Sequence, residues 1–233
     1  MVEFSSSAEL RAEVAQACRV LARFRIVEGF GHITCRVPGT DLMMITPRKA
    51  LGIVEPDELV EFDQNGNRVG GGDHPPLEFH MHLAVYKARP EVMAIARGHP
   101  RNVAAYSAAS EPLRIAHGFG ANLGHVVPVH DEPYLVTNPE SGAHVADVLG
   151  DCQGVILRGN GMLAVGQSIP HACVNAIFME EAAEVQLKAR AAGMKPKYFT
   201  LEEATRRNGD DRVHEPVRGW EYYLAVAEGR ITL

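Results

Sequence analysis

The stretch "PPLEFHMHLAVYKARPEVMAIARGHP", Pro75 to Pro100, turns from one kind of element into another, and that change decides the fold class. Its first part reads as a helix with proline in the opening turn and Pro90 as its stop. The apolar run "VMAIA" that follows is a strand candidate, closed by Gly98 and Pro100. Upstream, "GGGD" is a flexible loop and "FDQNGNRV" carries Asn-Gly between apolar positions, a strong hairpin signal. "DLMMITP" reads as a buried strand, and "VEGFGHITCRVPG" as a glycine-rich loop entering another. The N-terminal "SSSAELRAEVAQACRVLARF" opens with a capping-box pattern, Ser6 to Glu9. Leu10, Val14, Ala17 and Leu21 follow at the spacing of an amphipathic helix. Downstream, "GVILRGNGMLAVG" is strand-like and bent at Gly159-Asn160-Gly161, and "IPHACVNAIFMEEAAEVQLKARAAG" is a long helix stopped by Gly193. The last forty residues are polar and less regular, ending in "GWEYYLAV". No repeat, linker or low-complexity tract interrupts the series. The expectation is a single α/β domain over 1–233, with helices packed around a sheet.

The 233 residues are enough for a full hydrophobic core, and 46% hydrophobic with 22% charged residues is an ordinary globular composition. A formal charge of -6 argues against a nucleic-acid partner bound by phosphate neutralisation. No apolar run has the ~20 residues of a membrane span, and no basic region followed by an apolar stretch opens the chain, so neither a membrane partner nor a leader is expected. Cys18, Cys35, Cys152 and Cys173 lie far apart without a C-x-x-C pair, which reads as reduced thiols in a cytoplasmic protein.

Chemistry concentrates in a few places. Glu78 and His82 stand four apart and share a helix face, while His80 points roughly the other way. A carboxylate beside histidines serves as a general base or a metal ligand, although a solvated helix face carries the same residues. His99 ends an apolar strand, where a side chain is well placed for a site, and Asn160 projects from the glycine bend. Arg48 and Lys49 follow a strand end after Pro47; a planar guanidinium there suits a carboxylate or phosphate.

Taken in order, "GHITCR", "ITPRKA", "NGN", "EFHMHLAVYKARPEV", "AIARGHP", "ILRGNGMLAVG" and "MEEAAEVQ" resemble the class II aldolase/adducin family over roughly residues 8–193. The resemblance implies an α/β/α domain around a mostly antiparallel central sheet, in a homotetramer, with residues 194–233 as a tail packed on the domain or on a neighbouring subunit. In the family's enzymes three histidines hold Zn²⁺ or a similar ion such as Mn²⁺, which polarises a carbonyl or hydroxyl and stabilises an enolate-like anion. The glutamate opening the E-x-x-x-H helix moves protons. Carried over residue by residue, Glu78 falls on that glutamate and His99 on the second metal histidine, the only family ligand retained. Arg97 falls on the first metal histidine and Asn160 on the third. Arginine has no lone pair to offer a metal and carries a charge that repels one. Arg97 is therefore read as the positive centre in the metal's place, with His99 and Asn160 as hydrogen-bond partners.

The positions that grip phosphate in the family's sugar-phosphate aldolases carry His32, Arg48 with Lys49, and Pro76 with Leu77 here, so the hydroxyl cradle is gone. A small anionic molecule, carboxylated and in one form a hydroxylated aromatic acid, is the expected partner. The expected enzyme is a carbon–carbon lyase of the decarboxylase or aldolase type. Its catalytic residues would be Glu78, Arg97 and His99, with His32, Arg48, His82, His117 and Asn160 binding substrate. Two alternatives stand beside it: a metal-dependent sugar-phosphate-type aldolase, and a non-catalytic adducin-like binding or scaffolding module. The tail's Trp220, Tyr222 and Tyr223 would cover a neighbouring subunit's site or pack at the subunit interface.

Overall fold

The computed structural model describes residues 7–209 and 215–232; Ser6 of the anticipated capping box lies outside them. Its frame is an eight-stranded sheet. Strands β1 (His32–Arg36), β2 (Met43–Ile45), β3 (Val60–Phe62) and β4 (Arg68–Gly71) form one half. The other half contains β5 (Ala94–Gly98), β8 (Val129–His130), β9 (Gly154–Leu157) and β10 (Met162–Gly166). The order is β4-β3-β2-β1-β5-β10-β9-β8, antiparallel throughout except for the parallel pair β8 and β9. Strands β6 (Leu113–Arg114) and β7 (Val126–Val127) make a separate two-stranded ribbon. The mostly antiparallel sheet that the resemblance implies is present.

Side chains alternate across the sheet and sort into two cores. Ala94 and Ala96 of β5 join Ile33 and Cys35 of β1 on the face covered by α1 (Ser7–Arg23), α3 (Arg101–Ser107), α5 (Ile169–Ala191) and α7 (Glu215–Ala227). Ile95 faces the other way, with Ile45, Leu163 and Val165, under α2 (Phe79–Ala88) and α4 (Pro139–Leu149). Arg97 is two residues beyond Ile95, so the same alternation sends a guanidinium into this second, otherwise apolar layer.

Three elements differ from the expected layout. Pro75 and Pro76 precede α2 rather than forming its first turn: Glu78 sits at the N-cap with φ −88° and ψ 18°, and the Phe79 amide donates back to the Pro76 carbonyl. The C-terminal region is more regular than its polarity suggests. A capping box between Thr200 and Glu203 starts the short helix α6 (Leu201–Arg207), and α7 packs on α1 and α5. Trp220 and Tyr223 are buried in that packing, Tyr223 edge-on to Phe24, and Tyr222 is exposed. These rings pack within their own chain, which leaves Tyr222 as the exposed aromatic of the three. Among the described residues no helix is long and apolar enough to cross a membrane.

Candidate active site

Strand pairing brings the site together. Arg97 on β5 lies opposite His32 on β1 and Leu163 on β10, so Arg97 and His32 are cross-strand neighbours on one face. Two residues further along β1, Thr34 meets α2: its hydroxyl is 2.8 Å from His82 Nδ1 and 2.8 Å from the Tyr86 hydroxyl. The His32 and His82 rings pack at a centroid distance of 4.7 Å. After β5 the chain turns, with the His99 amide held by the Ile26 carbonyl at 3.0 Å. The β9–β10 turn places Asn160 over the same point, flanked by Gly159 and Gly161 at φ +66° and +77°.

Glu78 is the hub. Its Oε2 accepts from Arg97 Nη2 at 3.3 Å and its Oε1 from Asn160 Nδ2 at 3.1 Å, with the Val136 amide 3.5 Å from the same oxygen. His99 Nε2 donates to Asn160 Oδ1 at 3.3 Å, which closes a chain Arg97–Glu78–Asn160–His99. Arg97 also donates to the Gly98 carbonyl at 2.8 Å, yet its Nε has no hydrogen-bond partner among the described residues. His82 Nε2, His32 Nδ1 and His99 Nδ1 are likewise buried without hydrogen-bond partners among the described residues.

The electrostatics follow from burial. Arg97 is completely buried, and loss of solvent lowers its pKa while the Glu78 carboxylate opposes the shift. His82 is pushed down to about 3 by burial and by the Arg97 charge. His32 goes well below its usual range, by burial first and then by His82, Arg97 and His99. Burial and Arg97 also lower His99, against the opposing pull of Asn160 and Glu78. The result is a fixed cation among neutral imidazoles, with one carboxylate beside it.

The sequence profile of the Class II Aldolase and Adducin N-terminal domain matches residues 12–187 of this chain. The chain belongs to the class II aldolase/adducin family. The 3,4-dihydroxyphthalate decarboxylase of Rhodococcus jostii (strain RHA1) is 33% identical over 198 residues, 78% of this chain and 81% of that protein. The enzyme of the same name from Arthrobacter keyseri is 30% identical over 198 residues, 78% and 79% of the two chains. Among solved structures, the L-fuculose 1-phosphate aldolase from Glaciozyma antarctica PI12 superposes with a TM-score of 0.82 at 25% identity, covering 99% of this chain and 94% of that one. With decarboxylases and aldolases as its relatives, this family member is a lyase of the aldolase/decarboxylase kind.

The donor set in this member does not fit the metal implied by its family. At the first ligand position, Arg97 offers no lone pair, and its buried charge is committed to Glu78. Asn160 spends its carbonyl oxygen on His99 and its amide on Glu78, and His99 thereby gives up Nε2 as a donor of electrons. A lone imidazole beside a guanidinium is a poor place for a dication.

Of the residues singled out in the sequence, Glu78, Arg97, His99 and Asn160 form one hydrogen-bonded group, and His32 and His82 stand beside it. Arg48 is exposed on the loop after β2, its amide bonded to the His74 carbonyl, and Lys49 is paired with Glu58 at 2.7 Å. His117 lies 3.9 Å from Glu181 of α5, and no hydrogen bond or ion pair among the described residues joins it to Glu78. Sequence reasoning missed Thr34 and Tyr86, which fix the His82 ring, and the Val136 amide, a backbone group with no residue signature.

Proposed function

We propose that this chain is a decarboxylase of a small carboxylated, hydroxylated aromatic acid in which Arg97 takes the place of the family's metal. The observation that carries the reading is a fully buried guanidinium whose carboxylate partner among the described residues is Glu78, with an unpartnered Nε and unpartnered ring nitrogens of His32, His82 and His99 around it. Such a cluster is incomplete by itself, since buried polar groups without partners cost about 1–3 kcal/mol each, and the free guanidinium N–H suits an oxyanion.

The chemistry needs no more than these groups. Glu78 takes the proton of a hydroxyl adjacent to the carboxylate-bearing ring carbon and hands it to that carbon, converting the enol to its keto form. The bond to the carboxylate then breaks, its electron pair returns to the ring as an enolate, and CO₂ leaves. The charge on the enolate oxygen develops beside Arg97, and a proton from water neutralises it. Asn160 and His99 hold Glu78 in place, and His32, the cross-strand neighbour of Arg97, is the residue we propose to meet a second carboxylate. The relatives' names support a dihydroxylated phthalate as the first compound to try.

The test is CO₂ release from 3,4-dihydroxyphthalate and related hydroxylated aromatic acids. Wild-type protein is expected to turn one of them over, and Glu78→Gln to lower kcat by about 10²–10⁴, the usual worth of a general acid–base. Arg97→Met is expected to abolish turnover. Full activity in either variant, or a Zn²⁺ ion that wild type retains for turnover and loses on His99→Ala, would overturn the proposal.

A further inference from the structure

A second cluster of ligand-type side chains lies away from Glu78, at the far edge of the sheet. β8 ends at His130, opposite Leu157 of β9, and the His130 carbonyl accepts from the Arg158 amide at 3.1 Å. The chain then passes through Glu132, loops across to Asn138, and enters α4, where Asn138 and Pro139 form the start of the helix. His144, on the second turn of α4, comes back over the end of β8. His144 Nδ1 is 2.8 Å from Glu132 Oε1, His130 Nε2 is 3.9 Å from Glu132 Oε2, and the two rings meet edge-on at 4.8 Å. One ligand atom from each residue lies within 4.8 Å of the others.

His130 is what makes this more than a surface ion pair. Its side chain is 2% exposed and neither ring nitrogen has a hydrogen-bond partner among the described residues, although it faces Glu132 and His144. Buried polar groups without partners are uncommon because each forfeits its bonds to water. Asp131 does not fill the gap, being engaged with Arg158 and Ser110.

We propose that His130, Glu132 and His144 form a divalent-cation site suited to Zn²⁺. Two imidazoles and a carboxylate with a water in the fourth position is an ordinary donor set for that ion, at ~2.0–2.2 Å per bond and ~3.3 Å between ligands. Reaching it takes about 1.5 Å of closure at most by Glu132 and His144, which are 44% and 50% exposed. The ion would clamp the loop at both ends, before and after Val136, whose amide reaches Glu78. The site therefore fixes the segment that borders the main pocket without contributing to its chemistry.

The test is carried out in a His99→Ala background, where the main pocket has lost its one family-type ligand. After incubation with Zn²⁺ and desalting, about one ion per chain should remain and raise the melting temperature, with Co²⁺ giving visible absorption from the same site. Adding His144→Gln or, separately, Glu132→Gln should remove the ion, the thermal shift and the Co²⁺ bands. Both positions are half-exposed, and far-UV circular dichroism checks that each variant is folded. No retained ion in the His99→Ala protein, or an ion unmoved by both substitutions, would overturn the site.

Discussion

At Arg97 burial and charge pull in opposite directions. A guanidinium with no solvent exposure gains little from a single carboxylate 3.3 Å away, because removing two ions from water costs several kcal/mol per ion. The nearby histidines meet the same field by staying neutral, and this makes the pocket's contribution to stability depend on pH. With its pKa near 3 in the folded chain against 6.5 when unperturbed, His82 binds fewer protons folded than unfolded between those values. Above the unperturbed value neither state is charged and stability is unaffected. As pH falls through the window the unfolded chain takes up the proton, and stability drops by an amount on the order of a few kcal/mol. Urea unfolding at about pH 7 and about pH 5 should show this loss. His82→Gln, which does not titrate, should shrink the difference between the two midpoints; an unchanged difference would mean that the acid sensitivity lies elsewhere.

The elements position these residues through close backbone approach. Gly161 brings the β9–β10 turn against the end of β5, where a Cβ would collide with the Gly98 carbonyl oxygen. Gly159, in the same turn and also at positive φ, has open space around it. Alanine at Gly159 should therefore cost about 1 kcal/mol, the price of a left-handed backbone alone. Alanine at Gly161 adds a steric clash, for a total of about 2–4 kcal/mol, and displaces Asn160 from Glu78. Thermal melts of the pair check the stability difference, and turnover should fall more in Gly161→Ala than in Gly159→Ala. This turn was legible in the sequence because "RGNG" between two apolar runs leaves a chain little else to do. The same holds for β1, β5 and α5, whose patterns are long or sharply bounded. The strands between residues 108 and 137 offered no such signal: β6, β7 and β8 are two-residue strands, too short for alternation to register. α4 did carry Asn138 and Pro139 at its start, a cap that could have been read, and with it His144 would have fallen on a helix above His130. That Glu78, Arg97, His99 and Asn160 meet was legible only by resemblance, since 82 residues of chain separate Glu78 from Asn160.

At the scale of the whole molecule, the family's scaffold is retained, and the positions that the sequence resemblance equates with metal histidines carry Arg97 and Asn160. The sheet register, the β9–β10 turn and the N-cap of α2 hold Arg97, Asn160 and Glu78 at hydrogen-bonding distance. Restoring imidazoles at the two altered positions should therefore restore a metal site, because rigid elements rather than the ligands themselves set the spacing. The second cluster at His130 has to be silenced first, or an ion bound there would be counted with the pocket's. In a His144→Gln background, the native pocket should retain less than about a tenth of an ion per chain after Zn²⁺ loading and desalting. Adding Arg97→His with Asn160→His should bring retention to about one, with His99 completing three imidazoles. The same exchange removes the buried guanidinium, so turnover by the arginine-centred route should be lost even as the metal is gained. If the His144→Gln protein with its native Arg97 already holds a full equivalent of zinc, the guanidinium is not a substitute for the metal and the pocket binds it through other groups.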